Sequence, residues 1–282
     1  MNKWNIGIIL ILLQAPAKGQ FIEANKLNGE FGIAVGAAHY FGDLNNDYRM
    51  NRPKIALGIL FRKQFGDYIA LRVQGTYAKL GYSDVYSRNP VNQIRNLSFN
   101  TDLYELSLMG DFNFFRFIPG FAPYRFTPYV SLGVGFFNYD PYAYLNNEKI
   151  FLRPLGTEGQ GSIAFPDRKP YGNMGIVFPI GFGIKYNLSP RTNFTLELTH
   201  RFSSTDYLDD VSNTYAGADT FDPLQTGQAT NALLLQDRSS IINGTPIGIK
   251  GRQRGISLRR DQYLTVMAGI TINISSYECP TY

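Results

Sequence analysis

Through most of the chain, large apolar residues occupy every second position and small or polar residues fill the gaps. Phe31, Ile33, Val35 and Ala37 alternate with Gly32, Ala34, Gly36 and Ala38. Ile176, Phe178, Ile180, Phe182 and Ile184 alternate with Val177, Pro179, Gly181, Gly183 and Lys185. A period of two places one set on each face of an extended strand. The same alternation recurs at Ile55–Phe61, Leu71–Tyr77, Tyr104–Phe114, Val130–Phe136, Phe194–Phe202 and Leu264–Ile274, making eight stretches in all. Their connections are alternately short and long. An apolar phase this long and uniform suits a face held against lipid rather than a second sheet. The pattern predicts an all-β fold, an eight-stranded antiparallel up-and-down transmembrane β-barrel with long extracellular loops.

The opposite phases carry Arg62, Arg72, Lys185 and Arg201 together with Glu105, Asp111 and Glu197. Eight strands enclose a lumen only just wide enough for side chains. An unpaired ion there costs several kcal/mol. The expectation is a plug of ion pairs that closes the barrel, with a selective ion path as the alternative and a general porin excluded. Short connections follow the second, fourth and sixth strands, and bacterial barrels keep such turns in the periplasm. Both termini are therefore expected on the periplasmic side of the outer membrane. Several strands exceed the roughly 9–11 residues of a tilted crossing and should rise beyond the membrane as a collar.

At the N-terminus, Lys3 precedes the apolar run Ile6 to Leu13, and Ala17 and Gly19 stand at the −3 and −1 positions of a cleavage site. These features predict a signal peptide over residues 1–19 and a barrel domain over 20–282. No later segment has 18 uninterrupted apolar residues, so no helical span is expected. Removing residues 1–19 takes Lys3 and Lys18 and no acid, so the net charge of +5 becomes +3. That is too mild to point to nucleic acid. The mean hydropathy of −0.17 fits a barrel with a polar lumen and polar loops. The one cysteine, Cys279, excludes an internal disulfide framework and reads as an unpaired tail residue or an intermolecular partner.

Candidate chemistry is sparse. Outer-membrane lipid A deacylases and acyl transferases need a serine nucleophile within reach of a histidine base. The two histidines, His39 and His200, both lie on the apolar phase near outer strand ends. Ser203 is three residues from His200 and so on the opposite face of the strand, which denies it a dyad. Both histidines read as interfacial. Asp43, Asn45 and Asp47 mimic the start of a calcium loop, but Tyr48 replaces its glycine and Lys54 its bidentate glutamate. Asp206, Asp209 and Asp210 read as a solvated acidic loop, with a divalent-cation site as the alternative. Lys250, Arg252, Arg254, Arg259 and Arg260 are expected close to the membrane surface. There they either meet lipopolysaccharide phosphates or neutralise the acidic start of the same loop. The glycine run Gly156-Thr157-Glu158-Gly159-Gln160-Gly161 lacks the lysine and following helix of a phosphate loop.

Two longer segments, Leu152-Arg153-Pro154-Leu155-Gly156-Thr157-Glu158-Gly159-Gln160-Gly161 and Thr205-Asp206-Tyr207-Leu208-Asp209-Asp210-Val211-Ser212, resemble signature segments of the PorG family. Tyr40-Phe41-Gly42-Asp43-Leu44-Asn45, Arg95-Asn96-Leu97-Ser98-Phe99, Phe126-Thr127-Pro128-Tyr129 and the ending Cys279-Pro280-Thr281-Tyr282 are similar to further segments in the same order. These are outer-membrane barrels of the Bacteroidetes type IX secretion system. The resemblance implies a non-enzymatic component of the secretion and gliding motility machinery, without catalytic residues or cofactors. It also implies partners in a periplasmic ring of a PorK-like lipoprotein and a PorN-like protein.

The expected partner face is the periplasmic rim and tail, with Phe65, Phe117, Phe121, Tyr124 and Tyr282 as contact residues. The rim aromatics serve alternatively as an interfacial girdle. Outer-membrane lipid and lipopolysaccharide are the expected surroundings. A lipid A-modifying enzyme and a surface adhesin or ligand-binding barrel remain the alternative functions.

Overall fold

Alternation becomes strand wherever it was read. In the computed structural model, which describes residues 27–221 and 229–275, ten strands form. They are β1 (Leu27–Phe41), β2 (Lys54–Phe65), β3 (Ile69–Ser83), β4 (Ser98–Asn113), β5 (Phe126–Asn138), β6 (Tyr142–Leu145), β7 (Glu148–Phe151), β8 (Met174–Ser189), β9 (Thr192–Ser203) and β10 (Gln262–Ser275). Short helices α1 (Pro90–Arg95), α2 (Ala229–Gln236) and α3 (Ser240–Asn243) sit in the connections. The segment 1–19, Cys279 and Tyr282 lie outside the described residues.

Eight strands close on themselves in the order β3-β2-β1-β10-β9-β8-β5-β4, with β3 pairing β4 to complete the circle. Every pairing is antiparallel, and the first and last strands meet in register with Phe31 opposite Ile272 and Ile33 opposite Ile270. The fold is a closed antiparallel barrel of the outer-membrane type. One ladder lapses: β5 and β8 pair up to Leu132–Ile180 and resume at Gly135–Val177, on either side of Pro179. Proline has no amide hydrogen to give to a neighbouring strand.

The two faces separate as the alternation requires. Ile33, Leu106 and Phe136 are each 62% exposed on the outer wall, whereas Arg62 and Arg201 are fully buried inside. The exposed apolar belt is the lipid-facing surface, because a closed ladder satisfies its backbone internally and needs no water. Barrel strands run 12 to 16 residues, beyond the roughly 9–11 of a crossing. Residues 66–68, 114–125 and 190–191 connect strands at one end, the turn end; residues 42–53, 84–97, 139–173 and 204–261 do so at the other, the loop end.

The loop end holds a hairpin that the alternation did not reveal, β6–β7, with Leu145 opposite Glu148. Asn146 and Asn147 have φ of 52° and 67°, the left-handed pair that a two-residue hairpin turn requires and that asparagine tolerates. The strands are only four residues each, too short for a period to register.

Leu108 lies midway along the exposed belt of β4, between Tyr104 and Phe112. Leu108→Arg should cost about 2–4 kcal/mol in urea unfolding from lipid vesicles, and Met174→Arg at the loop-end edge about 0–1 kcal/mol. Equal costs at both positions would misplace the belt.

Candidate functional site

Inside the barrel the expected ions pair, six of the groups in one network and Arg201 with Glu105 apart from it. Arg62 Nε lies 2.6 Å from Asp111 and its Nη1 3.1 Å from Glu30. Arg72 spans Glu197 at 2.6 Å and Asp111 at 3.3 Å. Lys185 reaches Glu30 at 3.3 Å, and Arg201 Nε reaches Glu105 at 2.7 Å. Hydroxyls of Tyr129 and Tyr263 donate to Glu197 and Glu105, both at 2.7 Å. Four cations thus face four carboxylates. Glu30 was missed because the first strand was read from Phe31; the alternation extends one residue further and puts Glu30 on the inner phase. The gap left among Arg72, Tyr129, Glu197 and Met267 is ≈ 10 Å³, about one water. At that level the lumen is filled by the expected plug of ion pairs.

The turn end is sealed as well. Asn187 Nδ2 donates to Asn193 Oδ1 at 2.7 Å, and Asn193 Nδ2 to Asn273 Oδ1 at 2.7 Å. Phe117 folds inward beneath Lys185, whose Nζ stands 4.9 Å from the ring centroid. Phe117 is therefore a buried stopper (1% exposed) and not a surface contact or girdle residue. Phe65 and Phe121 are exposed. Phe121 and Tyr124 stack at 6.0 Å with planes 11° apart, beside Arg116, which pairs with Asp67.

At the loop end the connections fold into a cap over the lumen. Tyr40, Leu44, Leu80, Leu97, Phe99, Phe137, Tyr139, Leu208 and Val211 form its apolar core. Within it the two longer motif segments interlock. Glu158 is fully buried and its carboxylate accepts from the amides of Ser212 at 2.9 Å and Asn213 at 3.0 Å, and from Arg254 at 3.1 Å. Asp210 accepts from Thr157 Oγ1 at 2.5 Å and Tyr171 OH at 2.6 Å. Tyr40 OH lies between Asp209 at 2.5 Å and Asp261 at 3.0 Å. Gly156 and Gly159 hold φ of +57° and +83°, and a Cβ on Gly156 would meet the Gln160 carbonyl at 2.6 Å. That close approach is why the motif is glycine-rich.

The solvated acidic loop is thus corrected: Asp209 and Asp210 are buried, held by a tyrosine, a threonine and Arg254. Arg254 is buried too and does not reach the membrane surface; it neutralises the start of its own loop. Asp43 spends an oxygen on the Ile256 amide, and Arg95 pairs with Asp84 at 2.7 Å and donates to the Asp43 carbonyl at 3.1 Å. Among the described residues, no group of three or more His, Cys, Asp or Glu is arranged to hold a metal.

Both histidines belong to a band of rings on the outer wall just below the cap. His200 packs 4.6 Å from Phe202 and 6.2 Å from Phe41; His39 packs 5.2 Å from Phe41 and 6.2 Å from Tyr82. His39 is buried, because residues 42–53 fold over it and the Arg49 carbonyl bonds its Nε2. His200 Nε2 bonds Gln262 at 2.8 Å. Ser203 lies inside and donates to the Asp261 carbonyl at 2.7 Å, so it and His200 sit on opposite sides of the wall.

The fold and the sealed interior define an outer-membrane-type barrel with a structured cap. The chain belongs to a family described as a domain of unknown function, DUF6089, whose profile matches residues 6–233. Among solved structures it is similar to Neisserial surface protein A, with 10% identity over 88% of this chain and 97% of that one and a TM-score of 0.43. It is also similar to the outer membrane protein OprG of Pseudomonas aeruginosa (11%, 89% and 99%, 0.36). A third is the attachment invasion locus protein Ail of Yersinia pestis (11%, 88% and 99%, 0.35). A comparison with curated proteins finds no match.

Asp111→Ala would leave Arg62 and Arg72 short of their shared carboxylate, and breaking such a buried pair costs about 3–5 kcal/mol, measurable in the same vesicle assay. A loss below 1 kcal/mol would mean the network is hydrated. In the cap, burial pushes Asp206 up to about 7 and Asp43 and Asp210 up to about 6. Burial also raises Asp209 and Asp261, reinforced by neighbouring carboxylates. The folded cap therefore favours the protonated acids. Their contribution is complete below the unfolded value of about 4 and is lost as pH rises through 6 to 7. Amide exchange across residues 204–221 should be slower at pH 5 than at pH 8 after correction for intrinsic rates.

Proposed function

We propose that this barrel is a non-enzymatic outer-membrane component of type IX secretion and gliding, holding the periplasmic PorK-like and PorN-like ring at the membrane. In this reading the turn end and both termini are periplasmic, and the cap faces outward. The observation that carries it is the meeting of the two longest resembling segments. Residues 152–161 and 205–212 lie far apart in the chain, yet they are joined through Glu158 and Asp210. The resemblance is thus concentrated in residues that build one buried structure, as expected if a common cap is what those motifs encode. The ordering of the remaining motifs along the chain adds to it.

The turn end supplies the docking face. Phe65, Phe121 and Tyr124 stand there with Arg116, Arg125 and Arg191, a combination of flat rings and guanidiniums that suits a protein partner. A lipid A-modifying reading has no support from His200 and Ser203, which lie on opposite faces of β9. His39 is enclosed by its own loop.

Phe121→Ala combined with Tyr124→Ala should weaken co-purification of the ring by about 2 kcal/mol or more, roughly 30-fold in affinity. The barrel should still migrate as a folded, heat-modifiable species. Undiminished ring recovery and secretion would dismiss this face as the contact.

A further inference from the structure

The ring band below the cap has a second layer, made of guanidiniums. Tyr48, at the fold of residues 42–53, packs 5.1 Å from Phe41, and Arg259 lies over the Tyr48 ring at 5.5 Å. Tyr86 packs 5.9 Å from Tyr82, and Arg52 lies over the Tyr86 ring at 3.9 Å. Arg49 donates to the Tyr86 carbonyl. Arg49 and Arg52 thus meet at Tyr86, and the run of rings Tyr86, Tyr82, His39, Phe41 and Tyr48 connects them to Arg259 along the loop end of β1. Among the described residues none of the three lies within ion-pair distance of a carboxylate, whereas all four lumen cations do.

Beside these charges the surface is greasy. Leu258 is 96% exposed and Met50 62%, and Tyr48 and Phe202 are also open. On the outer wall of a barrel, the edge of the apolar belt is where hydrocarbon gives way to headgroups, and aromatic rings concentrate there. Arginine forks match phosphate oxygens two at a time, and stacking on a ring leaves the fork free at its edges. Apolar side chains at the same height reach acyl chains. Phosphate and acyl chain on one molecule satisfy both halves of the strip.

We infer that Arg49, Arg52 and Arg259, with Tyr48, Met50 and Leu258, form a docking strip for a phosphorylated glycolipid of the leaflet at the loop end. The inference takes from the proposed function only the orientation of the barrel. It does not depend on secretion or on the ring. The phosphate lies against the guanidinium layer and the acyl chains against the exposed apolar residues, so the lipid braces residues 42–53 and 256–260 against the wall.

The full chain in phosphatidylcholine nanodiscs, offered diphosphoryl lipid A or the same lipid stripped of phosphate, tests this by native mass spectrometry of retained lipid. The unaltered protein should retain the phosphorylated form preferentially. R52Q and R259Q should each lower that preference about fivefold, and K63Q, at an exposed cation near the turn end, should leave it unchanged. Heat-modifiable migration of each variant on gels reports that the barrel is intact. A combined R49Q/R52Q/R259Q protein that keeps the full preference would overturn the inference. So would release of the lipid by an equal concentration of inorganic phosphate, which would mark a free-anion site. Ring recovery is read separately, so failure here leaves the docking face untouched, and the reverse holds too.

Discussion

Charge neutrality in a confined space governs this molecule. Eight strands give a cylinder with little room for anything but side chains, so each ion on an inner phase must find its opposite within the lumen, on a neighbouring strand or a distant one. Arg62, Arg72, Lys185 and Arg201 do so against Glu30, Asp111, Glu197 and Glu105. Each pair joins residues distant in sequence, as Arg72 with Glu197 and Lys185 with Glu30. The pairing therefore fixes how far the strands are staggered. A two-residue slip of β3 would preserve its greasy outer phase but carry Arg72 away from both its acids.

The same logic reappears above the membrane with different materials. The connections at the loop end are long and polar, yet they bury an apolar core around Leu208 and Val211 and a set of carboxylates around it. Arg95 and Arg254 supply part of the compensation, and backbone amides and tyrosine hydroxyls the rest. The cap is thus a folded body continuous with the collar, and not a fringe of independent loops. Burial there favours the protonated forms of Asp43, Asp206, Asp209, Asp210 and Asp261, whereas the lumen places cations beside its carboxylates.

How much of this could be read beforehand depends on range. The barrel strands and the inward ions were legible because a period of two is local and repeats over many residues. Glu30 escaped only by standing one position before the chosen start. The cap was opaque for a physical reason: Asp209 and Asp210 look like solvent-exposed acids until Arg254, more than forty residues on, and Thr157, more than fifty residues back, are brought beside them. Phe117 and Phe121 are equivalent turn aromatics in sequence, and only the path of residues 114–125 sends one under Lys185 and the other outward. The glycine motif was recognised as unsuited to phosphate, but its use in wrapping Glu158 needed the left-handed turns at Gly156 and Gly159.

A cylinder stuffed with a stoichiometric salt behaves electrically as a dielectric rod. Four cations against four carboxylates give it no net charge to present to the hydrocarbon it crosses, so copies lying side by side do not repel one another through their interiors.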